Sequence, residues 1–202
     1  PKLGMGHQFT ASVLVNGMVG LLATGGSTNH TLHLVAMARA GGWHIDWDDF
    51  AELSSVVPLL ARVYPNGEAD VNHFHAAGGM GFLMRQLLQG GLMHDNVPTL
   101  MGPGWQHHLR EPWLNQGQLA WRDAPEHSGD LDVLRPIDNP FSPDGGLQVL
   151  RGNLGRAVIK VSAVKPNHQK VLAPALVVDD PQALEARFKA GALSHDFVAV
   201  VR

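Results

Sequence analysis

Residues 11–42, with the sequence ASVLVNGMVGLLATGGSTNHTLHLVAMARAGG, decide the fold of the first half of this chain. The mostly apolar residues 11–23 predict a buried helix, with a buried strand as the alternative, because a short apolar run has no distinguishing periodicity. Ser27 or Thr28 is a typical N-cap and Gly41 a typical C-cap, so a second helix is predicted between them. The stretch therefore predicts two helices joined by a glycine-containing loop.

The second predicted helix carries apolar residues at helical spacing. Leu32, Val35 and Ala36 fall at positions i, i+3 and i+4, which places them on one face. We expect this face to pack against the core. The loop before the helix, residues 24–29, then lies at a helix N-terminus.

Further helices are predicted in the rest of the first half. Residues 46–57 begin with acidic side chains, which suit the positive end of a helix dipole. Asp70 is a typical N-cap for residues 71–77, and residues 82–88 form an apolar helical stretch that ends at glycines. The sequence YPNG at 64–67 predicts a turn.

The second half has a different pattern. Prolines interrupt residues 98–144, which predicts a long connection with short strands at most. After this connection, apolar runs predict strands at 147–150, 157–161, 175–178 and 197–201. Asp180 before Pro181 is a typical helix start, so a helix is predicted from there to Gly191. A helix-rich part is thus followed by a β-rich part, which indicates two domains with a boundary near residue 145.

The composition indicates a globular protein and excludes several functional classes. The 202 residues are 45% hydrophobic and 16% charged, with a formal net charge of -3. The sequence shows no basic patch that would bind nucleic acid through its phosphates, and no apolar run approaches the ~20 residues of a membrane helix. The chain has no cysteine, which excludes disulfides, thiolate nucleophiles and cysteine-held metal sites within it.

The loop at residues 24–29 is the strongest candidate binding site. Its consecutive glycines let a ligand approach the backbone, and the free N–H groups of a helix N-terminus attract carboxylate or phosphate groups. Hydroxyl and amide side chains at Ser27, Thr28 and Asn29 add hydrogen-bond donors. An ordinary glycine turn with an N-cap explains the same residues, and from spacing alone this structural interpretation is favoured over a binding site.

Two other clusters have the residue types of metal sites. In a strand, His73 and His75 would lie on the same side and could bind zinc. This stretch is predicted as a helix, however, and helix positions i and i+2 do not share a face. Asp46, Asp48 and Asp49 would suit a divalent cation, although a helix start explains these acids without a metal. In both cases the structural role is favoured.

Residues 152–160, GNLGRAVIK, join a glycine turn to a strand that ends in a lysine. Arg156 and Lys160 in this stretch are candidates to contact an anionic ligand. A tight turn with solvated charges explains the two cations equally well.

Four segments occur in an order that resembles a known family. They are LLATGGSTNHT at 21–31, YPNG at 64–67, NHF at 72–74 followed by AAGGM at 76–80, and GNLGRAVIKVSAV at 152–164. Together they resemble the dihydroxy-acid and phosphogluconate dehydratase family, over residues 15–202. The Gly-Gly-Ser-Thr-Asn core is shared across the family, whereas the following histidine and the Asn-His-Phe segment are typical of its phosphogluconate branch.

The resemblance implies a hydro-lyase. In the phosphogluconate branch the enzyme converts 6-phospho-D-gluconate to 2-dehydro-3-deoxy-6-phospho-D-gluconate in the Entner–Doudoroff pathway, and a 4Fe-4S cluster acts as Lewis acid on the departing hydroxyl. The cysteine ligands would lie before Pro1 and the catalytic base after Arg202, so we expect this chain to be an internal fragment. The intact enzyme is expected to be a cytoplasmic homodimer.

The resemblance also implies site residues and a fold of α/β plus β class. The wall of the active site that holds the sugar acid or its phosphate would be formed by Thr24, Gly25, Gly26, Ser27, Thr28, Asn29 and His30. Arg156 and Lys160 are second candidates, because the β-rich domain packs over the site in this family, and His73 is left open between packing and substrate contact. Residues 1–145 would be the helix-rich end of an α/β N-terminal domain, and residues 146–202 the start of a β-barrel-like C-terminal domain.

Three other functions are kept as alternatives. One is dehydration of a related sugar acid or dihydroxy acid. Another is a cofactor-free binding protein for sugar acids or phosphates, derived from the same enzyme. The last is a zinc hydrolase that uses His73 and His75.

Overall fold

A computed structural model describes residues 4–202 of the chain. These residues form two compact units, one that ends at Ala163 and one that spans Val164–Arg202. The first unit contains all the candidate site residues. No helix among the described residues has the length and apolar character needed to span a bilayer.

Helices form the framework of the first unit. They are α1 at Met5–Gln8, α2 at Ala11–Ala23, α3 at Thr28–Ala40, α4 at Trp47–Ser54, α5 at Val71–Ala76 and α6 at Gly79–Gln89. Side chains cap several of their starts. Ser27 Oγ accepts a hydrogen bond from the Asn29 N–H at 3.2 Å, and Asp46 and Asp70 each form a capping box. The predicted helices are therefore confirmed in type, and their positions agree with the prediction within about three residues.

Two helix boundaries differ from the prediction. α4 ends at Ser54 rather than near Val57, because Val57 is fully buried and continues into the extended chain that enters the core. α6 begins at Gly79 rather than at residue 82. Gly78, with a φ of 133°, lets the chain enter this helix almost directly after α5.

α2 is the central helix of the first unit. Leu22 and Ala23 near its end have an exposure of 0%, which confirms the predicted buried helix and excludes the strand alternative. Phe50 of α4 and Phe82 and Leu87 of α6 belong to the same hydrophobic cluster. The loop after α2 therefore begins at a helix end that is fully buried in the hydrophobic core.

The buried face of α3 differs from the prediction. Thr31, Leu34 and Ala38 pack inward, whereas Leu32 is 58% exposed, so its predicted place in the core is wrong. Leu34 approaches the small Gly17 of α2, where an added Cβ would lie 3.4 Å from Leu34 Cδ2. The close approach of α2 and α3 at Gly17 determines which face of α3 is buried. The spacing of apolar residues along α3 does not show this contact with another helix.

The strands of the first unit pair as antiparallel neighbours. They are β1 at Pro98–Thr99, β2 at Gly102–Pro103, β3 at Arg110–Asn115, β4 at Gln118–Asp123, β5 at Leu147–Gly152 and β6 at Gly155–Lys160. The β5–β6 hairpin contacts α4. As a result, Arg156 lies near the turn end of β6 and Lys160 at its other end.

The β3–β4 hairpin is longer than the short strands expected within residues 98–144. Its cross-strand pairs surround a turn at Gln116 and Gly117, which both have positive φ. Pro112 in β3 argues against a strand when only the sequence is considered. An isolated two-stranded hairpin has open edges where proline is tolerated, and this explains the difference.

The second unit is a β-α-β motif. β7 at Ala175–Val178 and β8 at Val198–Val201 pair in parallel, with α7 at Pro181–Lys189 between them in the chain. Asp180 caps α7 by accepting a hydrogen bond from the Ala183 N–H at 2.6 Å. The predicted strands and helix are confirmed, and their parallel pairing is that of an α/β unit.

The fold is mixed α/β, but the expected β-barrel-like character is not confirmed. Every sheet within residues 4–202 has two strands, and none of these sheets closes on itself. The β5–β6 hairpin packs against a helix, and β7–β8 is an open pair with a crossover helix. The boundary near residue 145 refers to domains of the intact protein and stays a prediction.

Candidate functional site

The loop between α2 and α3 is a tight turn. Thr24 closes α2, since its N–H and its Oγ1 both donate to the Gly20 carbonyl, at 3.2 and 2.7 Å. Gly25 has a φ of 56°, and the Gly26 N–H donates to the Leu21 carbonyl at 2.8 Å. The turn satisfies the last carbonyls of α2 and brings the chain directly to the N-terminus of α3.

Close packing requires both glycines of this loop. A Cβ at Gly25 would collide with Asn66 Nδ2, and the positive φ would strain any other residue. A Cβ at Gly26 would collide with Leu21 Cδ1. Gly25 thus lets the loop pack against Asn66 of the turn at residues 64–67, and Gly26 lets it pack against Leu21 of α2.

A polar cavity opens beside the loop. It has a volume of about 320 Å³ and is lined by Thr24, Gly25, Gly26, Ser27, Thr28, Val63, Tyr64, Pro65 and Lys160. The hydroxyls of Ser27 and Thr28 and the first turn of α3 provide donors, and Lys160 provides a positive charge. These groups suit an anionic ligand.

Lys160 is the cation of this cavity. It is the last residue of β6 and is partly buried, and this burial lowers the pKa of its amine from the usual lysine value. The cause is the solvation that the ammonium loses on burial. An anion bound in the cavity would replace part of that lost stabilisation.

Arg156 lies outside the cavity, near the other end of β6. Its Nη2 atom is 2.8 Å from Asp48 Oδ1 on α4, and Arg151 of β5 pairs with the same carboxylate. These pairs tie the hairpin to α4. The structure therefore separates Arg156 from Lys160, although the two residues share one face of the strand.

The structure brings most of the predicted loop residues to the cavity. Residues 24–28 line it together with Lys160. Asn29 and His30 are exposed on the first turn of α3 and are not part of the lining. Their contribution to a substrate-binding wall stays a prediction.

Sequence reasoning missed two side chains that support the loop. Asn66 Nδ2 donates to the Gly25 carbonyl at 2.8 Å, and Ser162 Oγ donates to Asn66 Oδ1 at 2.9 Å. The YPNG motif predicts a turn at 64–67, but no local pattern shows that its asparagine reaches a residue 41 positions earlier. The order of the family-like segments was the one available signal that these residues belong together.

The other candidate clusters have structural partners. His73 Nδ1 lies 2.8 Å from Asp70 Oδ1, and hydrogen bonds from His73, first from its backbone N–H, lower the pKa of Asp70. His75 follows two positions later in α5, on a different helix face. Asp46 and Asp49 form the capping box of α4. No group of three or more potential metal ligands occurs in the part of the chain that the structure describes, so the geometry gives the zinc hypothesis no support.

The residues of this chain do not fit the iron–sulfur cluster that the resemblance implies. Such clusters are held chiefly by cysteine thiolates, and the 202 residues contain none. This chain therefore contributes no cysteine ligand to a cluster. The cavity beside the glycine loop instead suits an anionic group, because of its hydroxyls and Lys160.

Comparisons with known proteins assign both halves of the chain to one family. Residues 3–108 match the model of the dihydroxy-acid/6-phosphogluconate dehydratase N-terminal domain. Residues 132–202 match the model of the C-terminal domain of the same family. The cavity takes its loop from the first match and Lys160 from the second.

Individual relatives cover nearly the whole chain. A phosphogluconate dehydratase of Pseudomonas aeruginosa is 60% identical over 94% of this chain and 31% of its own length. One of Escherichia coli is 54% identical over 98% of this chain and 33% of its own length. A dihydroxy-acid dehydratase of Acaryochloris marina is 36% identical over 96% of this chain and 32% of its own length. The chain thus spans about one third of these relatives, and it belongs to the dihydroxy-acid/6-phosphogluconate dehydratase family.

Proposed function

We propose that the protein to which this chain belongs is a phosphogluconate dehydratase. It would convert 6-phospho-D-gluconate to 2-dehydro-3-deoxy-6-phospho-D-gluconate, as a hydro-lyase of the Entner–Doudoroff pathway. One observation carries this proposal: identity is 60% and 54% to relatives named phosphogluconate dehydratase but 36% to one named dihydroxy-acid dehydratase. Because the chain is about one third of those relatives, the activity is proposed for the intact protein.

The reaction removes one water molecule and changes no oxidation state overall. The proton on C2 and the hydroxyl on C3 leave as water, and the resulting enol becomes the 2-keto acid when C3 takes up a proton. A base outside this chain would take the C2 proton. The proposal includes a 4Fe-4S cluster held by cysteines outside this chain, which would supply a Lewis acid for the departing hydroxyl.

The cavity beside the glycine loop would hold one anionic end of the substrate. The substrate carries a carboxylate at one end and a phosphate at the other, and both are acceptors of several hydrogen bonds. Ser27 and Thr28, the N-terminus of α3 and the Lys160 ammonium are donors of the kind that such groups need. A volume of about 320 Å³ is sufficient for part of a sugar-acid phosphate.

The remaining predicted contacts are of two kinds. Asn29 and His30 continue the same exposed turn of α3, so we include them in the proposed substrate wall. Arg156 is a weaker candidate, because Asp48 already holds its guanidinium.

The direct test is an anaerobic dehydratase assay of the intact gene product on 6-phosphogluconate and on branched dihydroxy acids. We expect the higher kcat/KM with 6-phosphogluconate. A preference for dihydroxy acids would replace the proposed substrate. Binding of sugar-acid phosphates without turnover of any acid would favour the cofactor-free binding protein.

Three properties of the intact protein belong to the same proposal. It would be a cytoplasmic homodimer, and residues 146–202 would begin a β-barrel-like domain completed by further chain. Light scattering coupled to size-exclusion chromatography of the intact protein measures the oligomeric state, and a monomer mass would contradict the dimer.

A further inference from the structure

Three segments of the first unit meet behind the glycine loop. Asn66 Nδ2 donates to the Gly25 carbonyl at 2.8 Å, and Asn66 Oδ1 accepts from Ser162 Oγ at 2.9 Å. Ser162 lies two residues beyond Lys160 in the chain. One side-chain amide therefore connects the loop that lines the cavity with the segment that supplies the cation of the cavity.

Gly146 completes this arrangement. The Ser162 N–H donates to the Gly146 carbonyl at 3.4 Å. A Cβ at Gly146 would collide with Ser162 Oγ and would lie 3.4 Å from Gly25 Cα. The Ser162 hydroxyl therefore occupies the space that a side chain at position 146 would need. Its shorter hydrogen bond is the one to Asn66 Oδ1 at 2.9 Å, and its longer one is to the Gly146 carbonyl at 3.4 Å.

The connection joins the two family matches. Gly25 and Asn66 belong to the match at residues 3–108, and Ser162 belongs to the match at residues 132–202. Both hydrogen bonds of Asn66 are partly buried, so water competes less for these groups than at the surface. The amide of Asn66 therefore fixes how the two parts of the cavity are spaced.

We propose that Asn66 and Ser162 are positioning residues for substrate binding. They hold Gly25 in its left-handed conformation and keep the loop at a fixed spacing from Lys160. The loop and the lysine must have this spacing to bind the same phosphate or carboxylate group. The inference rests on the proposed function, in which the cavity holds an anionic end of the substrate, and neither side chain itself touches the substrate.

The test compares Asn66→Ala and Ser162→Ala in the intact protein. Asn153→Ala, at an exposed asparagine in the turn between β5 and β6, is the matched control. We expect KM for 6-phosphogluconate to rise about 10-fold in both test variants, with kcat within about twofold of wild type. The reason is that a displaced loop weakens the binding of the anionic group equally in the ground state and in the transition state, which raises KM and leaves kcat nearly unchanged. The control is expected to keep the wild-type KM and kcat.

The double variant separates positioning from two independent structural roles. Because Ser162 acts through Asn66, Asn66→Ala/Ser162→Ala is expected to raise KM no further than Asn66→Ala alone. Gly146→Ala displaces Ser162 and is expected to raise KM in the same way. Folded single variants with the wild-type KM, or increases in KM that multiply in the double variant, would overturn the proposal. If Asn66→Ala does not fold, the KM of Ser162→Ala decides the question.

Failure of this inference is distinguishable from failure of the proposed function. If the wild-type protein prefers a dihydroxy acid, the proposed substrate is wrong, and the same variants are compared on that acid. If it turns over neither acid, calorimetric titration with 6-phosphogluconate and with inorganic phosphate measures binding directly. A Kd about 10-fold higher in the variants than in wild type supports positioning. An equal Kd, or no binding to wild type, overturns it.

Discussion

Two glycine-containing loops of this chain have opposite surroundings. At residues 24–29, Gly25 and Gly26 have neighbours so close that an added Cβ would collide with Asn66 or Leu21. In the β5–β6 turn, Gly152 and Gly155 have no atom within 4 Å of an added Cβ. The first loop is therefore fixed by tertiary contacts, whereas the second only reverses the chain.

The two ends of β6 also differ in how closely the surrounding residues enclose them. Lys160 lies at the end next to the enclosed loop, and its burial lowers its pKa. Arg156 lies at the end next to the open turn and shares the Asp48 carboxylate with Arg151. Enclosure by tertiary contacts, more than glycine content or charge, distinguishes the end of the hairpin at which we propose that the substrate binds.

The largest expected effect is that of Gly25→Ala. Its positive φ and the collision with Asn66 predict a loss of stability of about 2–4 kcal/mol and a fall in kcat/KM of about 100-fold or more in the intact protein. Gly152→Ala is the control, with a change in stability within about 0.5 kcal/mol. Urea unfolding and steady-state kinetics measure both quantities. Similar effects of the two substitutions would contradict the difference between the loops.

Removal of a donor from the enclosed loop is expected to have the next largest effect. Ser27→Ala or Asn29→Ala should lower kcat/KM by about 10-fold or more, because positioning hydrogen bonds to the substrate are lost. Ser194→Ala, an exposed serine of the second unit, is the control. Unchanged kinetics in both loop variants would remove the first turn of α3 from the site.

Lys160→Ala is expected to weaken substrate binding about 5–10-fold, since the cavity loses its cation. Binding through the ammonium is retained at pH values below the lowered pKa and is lost as pH rises through it. KM measured against pH in wild type should therefore rise at alkaline pH, and this rise should be absent in Lys160→Ala. Exposed Lys189→Ala is the control. An identical pH profile in wild type and Lys160→Ala would contradict the assignment.

The smallest expected effect is that of Arg156→Ala. The side chains of Arg156 and Asp48 are 41% and 43% exposed, and ion pairs open to solvent stabilise a fold by about 0–1 kcal/mol. We expect a change in kcat/KM of about twofold to threefold, which is smaller than for Lys160→Ala. A larger loss of kcat/KM with unchanged stability would place Arg156 at the substrate.

Local signals predicted the helices better than the contacts between them. The caps at Ser27, Asp46 and Asp70 act within one helical turn, so the sequence alone locates them. The face of α3 was predicted wrongly, since it depends on how Leu34 meets Gly17 of another helix.

The candidate site was predictable only in its local part. The glycine loop follows from spacing, and Lys160 follows from its place in a family-like segment. Asn66 and Ser162 are linked across 96 residues, and no periodicity or motif spacing encodes such a contact. The length of the β3–β4 hairpin was hidden by Pro112, which an open strand edge tolerates.

The most direct test of the account compares kcat/KM on 6-phosphogluconate for wild type, Gly25→Ala and Gly152→Ala in the intact protein under anaerobic conditions. We expect wild type and Gly152→Ala to dehydrate 6-phosphogluconate equally well, and Gly25→Ala to be about 100-fold or more slower. Equal rates for all three proteins, or no turnover by wild type, would contradict the claim that the enclosed loop binds the substrate of a phosphogluconate dehydratase.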